Sequence, residues 1–419
     1  MPVPRYSSVR LRWQRGLEGD GSRSGEGSLL KKPTILFVSH SADRYGAEKS
    51  LLDLVLGINR DRYDVIVLVP KRGPLTDILS AHSVKYIVSF YTKWIDNNLV
   101  LAKTLIRTVI NVVALIRLLM IIKSYSIGVI YTNTIVIPIG ALLSRFLGIP
   151  HIWHIREFVH EDRGARFNYG TTRSMKLIKK SSERVICNSK AICKKMGQYI
   201  PAGKLAVVYN GLLESNKTVL ELPVRKAPHQ RDKSILCTAG VIAPHKGQKD
   251  AIIALSLLRR RGVNARLRIL GLGHWLHIRG LKRLANELGV SEQIKWCGYL
   301  PNALDIFRSS DVLLVCSRFE PFGRVAVEAM SVGTPVIGTN GGGLVEIIDD
   351  GYNGLLYPAG NYEMLTDQIM RLLAELNLYE SISRNAILSV YERYTRDRYI
   401  NEIELIIKET IKEPARKNY

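Results

Sequence analysis

Ten short runs of β-branched and aliphatic residues recur along this 419-residue chain, five on each side of a polar break, with helix-period segments between them. The first five are TILFVS (34–39), YDVIVLV (63–69), GVIYT (128–132), RVICN (184–188) and AVVYN (206–210). The second five are ILCTAG (235–240), LRILG (267–271), IKWCG (294–298), DVLLVCS (311–317) and PVIGT (335–339). Continuous rather than alternating apolar strands belong to parallel sheets that helices cover on both faces. Segments such as 48–58 and 247–259 supply the crossover helices. The break, ESNKTVLELPVRKAPHQRDK (214–233), is polar, holds two prolines and has no period, so it reads as a linker. The expected fold class is α/β: two Rossmann-like, doubly wound parallel-sheet domains, 33–213 and 234–395, facing a central cleft. Residues 1–32, rich in Arg, Ser and Gly, read as a basic disordered tail, and 396–419 as a helix returning to the first domain. In open sheets of this kind ligands bind at the carboxyl ends of the strands.

A net charge of +23 calls for an anionic partner. The excess is local: residues 101–200 carry 16 Lys/Arg against 4 acids, a surplus of +12. No helix-turn-helix, zinc pattern or aromatic RNP-like stripe accompanies it, so nucleic acid is not expected. The segment 99–122 is apolar but is interrupted by Lys103, Arg107 and Arg117, and no membrane span is predicted. It reads either as a buried helix with snorkelling cations or as an interfacial element lying on anionic lipid. The five cysteines have no C-x-x-C spacing and read as reduced thiols.

The stretches that carry chemistry lie mainly in the second half. FEPFGRVAVE (319–328) places Glu320 in a loop after a strand and Glu328 inside the following helix, at most about 12 Å away at ~1.5 Å rise per residue. Two carboxylates so spaced suit vicinal hydroxyls on two sugar rings, and the Pro-Phe-Gly turn presents open N–H groups of a helix start. Gly341-Gly342-Gly343 sits between a strand and a helix, where backbone can approach a diphosphate closely. Lys246, just before another helix, can meet a phosphate as a point charge.

In this order the motifs resemble retaining glycosyltransferases of family 4, which have the GT-B fold. The matching residues are Gly240, Lys246-Gly247, Gly271-x-Gly273, Gly298, Ser317-x-x-Glu320-Pro-Phe-Gly-x-x-x-x-Glu328, Gly333-x-Pro335, Gly342-Gly343-x-x-Glu346 and Gly351-x-x-Gly354. In the first half SHSADRYGAEKSLLDL, YTNT, IPHIWHIRE, VICNSK and VVYNGL also resemble family segments. The resemblance implies a nucleotide-diphosphate-sugar donor and a glycan or lipid-linked hydroxyl acceptor, in cell-surface polysaccharide, lipopolysaccharide or glycolipid synthesis. It implies cytoplasmic placement, peripheral on the inner face of an anionic membrane, with no divalent metal and no cofactor. Glu320 with the Phe322 and Gly323 amides would hold the donor hexose, Glu328 the ribose, and Lys246 the diphosphate. Gly46 would approach that diphosphate from the opposite domain, while Gly240, Arg324, Gly342 and Gly343 would line the donor site and His154 would face the transferred sugar. Two departures stand out. Val241 occupies the place of the arginine that the family pairs with its lysine, leaving Arg324, Arg156 or another cation as candidates for the missing charge. The N-terminal double glycine is reduced to Gly46-Ala47. A catalytically silent binding subunit is the alternative reading.

Overall fold

The computed structural model describes residues 32–98, 100–161, 164–214 and 233–412; the expected tail and nearly all of the expected linker lie outside these. Thirteen strands form two sheets. The first has the order β3-β2-β1-β5-β6-β8-β9, with β1 Thr34–Val38, β2 Asp64–Val69, β3 Lys85–Val88, β5 Ile127–Thr132, β6 His151–Ile155, β8 Arg184–Cys187 and β9 Leu205–Val207. The second has the order β12-β11-β10-β13-β14-β15, with β10 Ser234–Ala239, β11 Ala265–Leu270, β12 Ile294–Gly298, β13 Val312–Val315, β14 Val336–Thr339 and β15 Leu355–Tyr357. A small antiparallel ribbon joins β4 (Ile95–Asp96) to β7 (Arg166–Phe167). Every pairing within the two large sheets is parallel, with β1 running in register from Thr34↔Asp64 to Val38↔Leu68 against β2.

Burial explains why the strands read as continuous apolar runs. From β1, Leu36 and Val38 enter one core with Leu115 and Leu118 of the helix Leu101–Ile122, while Ile35 and Phe37 enter another on the opposite face. That second core takes Leu51 and Leu54 from the helix Gly46–Gly57, and Tyr399, Ile403 and Ile407 from the helix Arg396–Lys412. The last helix therefore follows the second sheet in sequence but packs on the first. The second sheet is likewise sandwiched, with Leu236 and Leu314 facing Leu255 and Leu365, and Leu313 facing Val327 and Met330.

Three strands of the two sheets are missing from the ten apolar runs, β3, β6 and β15, as are both strands of the ribbon. β3 is a half-buried edge strand and β15 has three residues, so neither gives a long apolar run. β6 (HIWHI) carries two histidines, which are both fully buried. In both sheets the strand order reverses beside the first strand, between β1 and β5 and between β10 and β13. The loops leaving these strands therefore diverge and leave a crevice at each carboxyl edge.

Candidate active site

The two crevices open into one cleft of about 1970 Å³, lined from the first half by the loop after β1 and from the second by the loops after β10, β11 and β13. The walls touch at several points. Lys49 Nζ donates to the Pro301 carbonyl (3.3 Å) and Arg324 Nη1 to Ser50 Oγ (3.1 Å). The Glu346 carboxylate accepts the backbone N–H groups of Lys190 (2.7 Å) and Ala191 (2.8 Å) and the Tyr209 hydroxyl (2.9 Å).

On the donor side the two glutamates of the FEPFGRVAVE stretch each hold a cation. Lys246 Nζ stands 2.6 Å from Glu320 Oε2, and Arg324 Nε stands 2.9 Å from Glu328 Oε1, one helical turn away. Burial by itself would raise the Glu320 carboxyl, but the Lys246 charge and hydrogen bonds from Lys246 and Ser317 bring it below its ordinary range. The helix carrying Glu328, Arg324–Met330, starts at Gly323, whose φ of 110° suits glycine. Gly46, Gly240, Lys246, Glu320, Phe322, Gly323, Arg324 and Glu328 all line the cleft, and so does Val241, which is 53% exposed.

Three of the expected site residues are placed elsewhere. Gly342 and Gly343 do not line the cleft; they pack against the backbone of the Glu320 loop. Gly343 N–H donates to the Glu320 carbonyl (2.7 Å), and a Cβ on Gly342 would lie 2.3 Å from that same oxygen. The close approach that the glycines permit is thus to protein, and it fixes the loop carrying Glu320. His154 does not face the cleft either. It is fully buried, its Nδ1 meeting the Tyr131 hydroxyl and Arg156 Nη2, and burial together with the Arg156 charge holds its imidazole neutral. β6 ends at Ile155, and the residues that reach the cleft are the next two, Arg156 and Glu157.

The first-half wall also holds groups that the sequence reading did not single out. Glu48, on the helix Gly46–Gly57, is 1% exposed, and burial, together with the charges of Glu157 and Asp43, pushes its carboxyl up to about 7. His40 Nδ1 lies 3.2 Å from Glu48 Oε1. Glu157 is fixed by the Thr134 hydroxyl, 2.9 Å from both carboxylate oxygens. The signals were an acid inside GAEKS and one closing HIRE. Among the described residues no group of three or more His, Cys, Asp or Glu side chains could hold a metal ion.

Comparison with known proteins gives this geometry its family. Residues 45–212 match Glycosyltransferase Family 4, and residues 223–389 match Glycosyl transferases group 1. The chain belongs to glycosyltransferase family 4. An uncharacterized glycosyltransferase of Methanocaldococcus jannaschii is 31% identical to this family 4 chain over 219 residues, which is 50% of the chain and 55% of that relative. N-acetyl-alpha-D-glucosaminyl L-malate synthase of Bacillus anthracis is 30% identical over 131 residues, 31% of this chain and 34% of the relative. The matches thus span about half of one relative and a third of the other. Among solved structures, Anabaena HepE in complex with UDP and glucose superposes with a TM-score of 0.72 at 22% identity, covering 90% of this chain and all of HepE. WaaG, a glycosyltransferase involved in lipopolysaccharide biosynthesis, gives 0.65 at 15% identity, covering 89% of this chain and 99% of WaaG. The two parallel sheets are those of the GT-B fold.

Proposed function

We propose that this chain transfers a hexose or related sugar from a nucleotide-diphosphate-sugar to a hydroxyl of a glycan or lipid-linked glycan, with retention at the anomeric carbon. The observation that carries the proposal is the pair of carboxylate–cation contacts, Glu320 with Lys246 and Glu328 with Arg324, on one wall of the cleft opposite the open helix start at Gly46. In the reaction the bond from the anomeric carbon to the β-phosphate oxygen breaks and its electron pair stays on that oxygen. The acceptor hydroxyl oxygen bonds to the anomeric carbon on the same face, and its proton passes to the leaving phosphate. Lys246 and backbone amides offset the charge of the departing diphosphate. Glu320 positions the sugar and does not attack it. Release of nucleoside diphosphate from UDP-, GDP- and ADP-sugars, with a lipid-linked glycan fraction as acceptor, tests this. Near-normal release by Glu320→Ala would remove Glu320 from the reaction.

A lipid-linked acceptor, and work at an anionic membrane surface, are favoured by the helix Leu101–Ile122. One face is packed through Asn111, Ala114, Leu115, Leu118 and Ile122, but Leu101, Leu105, Val109, Val113, Ile116 and Met120 form a stripe open to solvent, from 56% to 76% exposed. The helix is long and apolar enough to cross a membrane by length and composition, yet its inner face belongs to the core of the first sheet. The adjoining helices Ile139–Leu147 and Thr171–Ser181 expose Arg145, Arg173, Lys176, Lys179 and Lys180. An apolar stripe beside dispersed cations suits shallow insertion into an anionic leaflet. Flotation with anionic but not neutral vesicles, lost in Leu105→Asp/Val109→Asp, is the expected result; no flotation with either vesicle contradicts it.

A further inference from the structure

Val241 stands in the donor wall, and no side-chain cation projects from that position. Across the cleft, immediately after β6, Arg156 is 5% exposed and lines the same space. Its guanidinium donates from Nε to Asn133 Oδ1 (3.0 Å), from Nη1 to Asn210 Oδ1, and from Nη2 to the Tyr399 hydroxyl (2.8 Å) and His154 Nδ1 (3.2 Å). Among the described residues every one of these acceptors is neutral, since His154 is held uncharged. Lys246 and Arg324 differ in this respect: each is already paired with a glutamate. The Glu157 and Asp53 charges act on Arg156, but neither carboxylate is among its hydrogen-bond partners. Removing an ion from water costs several kcal/mol unless a counter-charge meets it, so a cation hydrogen-bonded only to neutral groups suits a place where a ligand brings further negative charge.

Its position is fixed from two sides. Asn133, which accepts from Arg156, itself donates Nδ2–H to the Ala47 carbonyl (2.9 Å) in the first turn of the helix Gly46–Gly57. Tyr399, the other support, donates to the Ser50 carbonyl (3.4 Å), and the Ser50 hydroxyl meets Arg324 from the donor wall. A Cβ on Gly46 would lie 3.8 Å from Arg324 Cδ. Arg156 is thus tied through Asn133 and Tyr399 to the first two turns of that helix, where both walls converge on its uncapped start.

We propose that Arg156 takes the place of the cation absent at Val241 and binds the diphosphate of the donor, neutralising the charge that gathers on the β-phosphate as the sugar departs. The inference rests on the transferase reading above. It makes this enzyme's second phosphate cation a contribution of the acceptor-side domain, so that the phosphate site is complete only when the two walls are together.

The test is calorimetric titration of the full chain with UDP, GDP and ADP, and with the matching nucleoside monophosphate, for the unchanged protein and Arg156→Gln. The expected result is a loss of tenfold or more in affinity for the diphosphate, with less than threefold for the monophosphate, and a fall in kcat of roughly a hundredfold. Adding Val241→Arg to Arg156→Gln should restore at least tenfold of that kcat, which a residue that only braces Tyr399 and Asn210 would not allow. Unaltered diphosphate binding by Arg156→Gln, or equal losses for the two nucleotides, overturns this inference alone. No binding by the unchanged protein overturns the transferase reading and this inference with it. Should Arg156→Gln fail to fold, Val241→Arg in the otherwise unchanged protein decides. A change in kcat under twofold means the charge is already supplied from across the cleft, and a gain of tenfold or more means it is not.

Discussion

Glu320→Gln separates binding from turnover in a way that follows from one contact. Lys246 Nζ sits 2.6 Å from Glu320 Oε2, with the two side chains 22% and 14% exposed, so the lysine charge is largely spent on the carboxylate before any ligand arrives. A hydrogen bond between charged groups is worth about 1.5–3 kcal/mol net, and partial solvent access places this one near the lower end. Replacing the carboxylate by an amide of the same shape frees that charge for a diphosphate. About 1.5 kcal/mol of it, recovered on binding, tightens Kd for the nucleoside diphosphate roughly tenfold. The gain should shrink as salt is raised, because it is electrostatic. Turnover should move the other way, since the donor sugar loses the acceptor that orients its hydroxyls. A misplacement of about 1 Å costs on the order of a hundredfold in kcat. Calorimetry with the nucleotide and a steady-state assay with the sugar donor read the two quantities on the same protein. Unchanged or weaker nucleotide binding by Glu320→Gln would refute the claim that the pair masks Lys246.

Two further predictions concern the opposite wall and the contact that spans the cleft. The buried Glu48 keeps its proton up to about pH 7 in the folded chain, against an ordinary value of 4.5. The native state therefore binds a proton that the unfolded chain has already lost, and this group costs stability increasingly as pH rises from about 4.5 to about 7. Glu48→Gln should match the unchanged protein near pH 4.5 and exceed it by about 3 kcal/mol at pH 8 in chemical denaturation; a difference that stays flat with pH contradicts this. Glu346→Ala removes the acceptor for the Lys190 and Ala191 N–H groups and for the Tyr209 hydroxyl, and should cost about 1–3 kcal/mol of stability. It should also enlarge the radius of gyration by small-angle scattering, because that carboxylate ties the second half of the chain to the first; an unchanged radius would mean that the other contacts suffice.

The two-sheet fold was legible because most central strands are buried on both faces and so print an apolar run. The strands that escaped are the ones where that cause is missing: the half-buried edge strand β3, the three-residue β15, and β6, whose buried histidines interrupt the run. The site was legible by residue type more than by placement. Glu320, Glu328, Lys246 and Gly323 could be picked out, but not that the carboxylates would each hold a cation, since the Lys246–Glu320 contact joins residues 74 positions apart. A glycine run reports that something comes close without saying what; at Gly342 it is the Glu320 carbonyl rather than a ligand. His154 and Arg156 show the same limit. The pattern HIWHIRE does not say where the strand ends, and one residue past Ile155 the chain turns into the cleft and presents Arg156.

The account stands or falls on whether the cleft holds a nucleoside diphosphate between Lys246 and Glu328. The direct measurement is calorimetric titration with UDP, GDP and ADP in the presence of EDTA, on the unchanged protein and on Glu328→Ala. Micromolar binding of one nucleotide, weakened at least tenfold by the substitution, is the predicted result. Binding of none of the three, or binding that Glu328→Ala leaves intact, would contradict it.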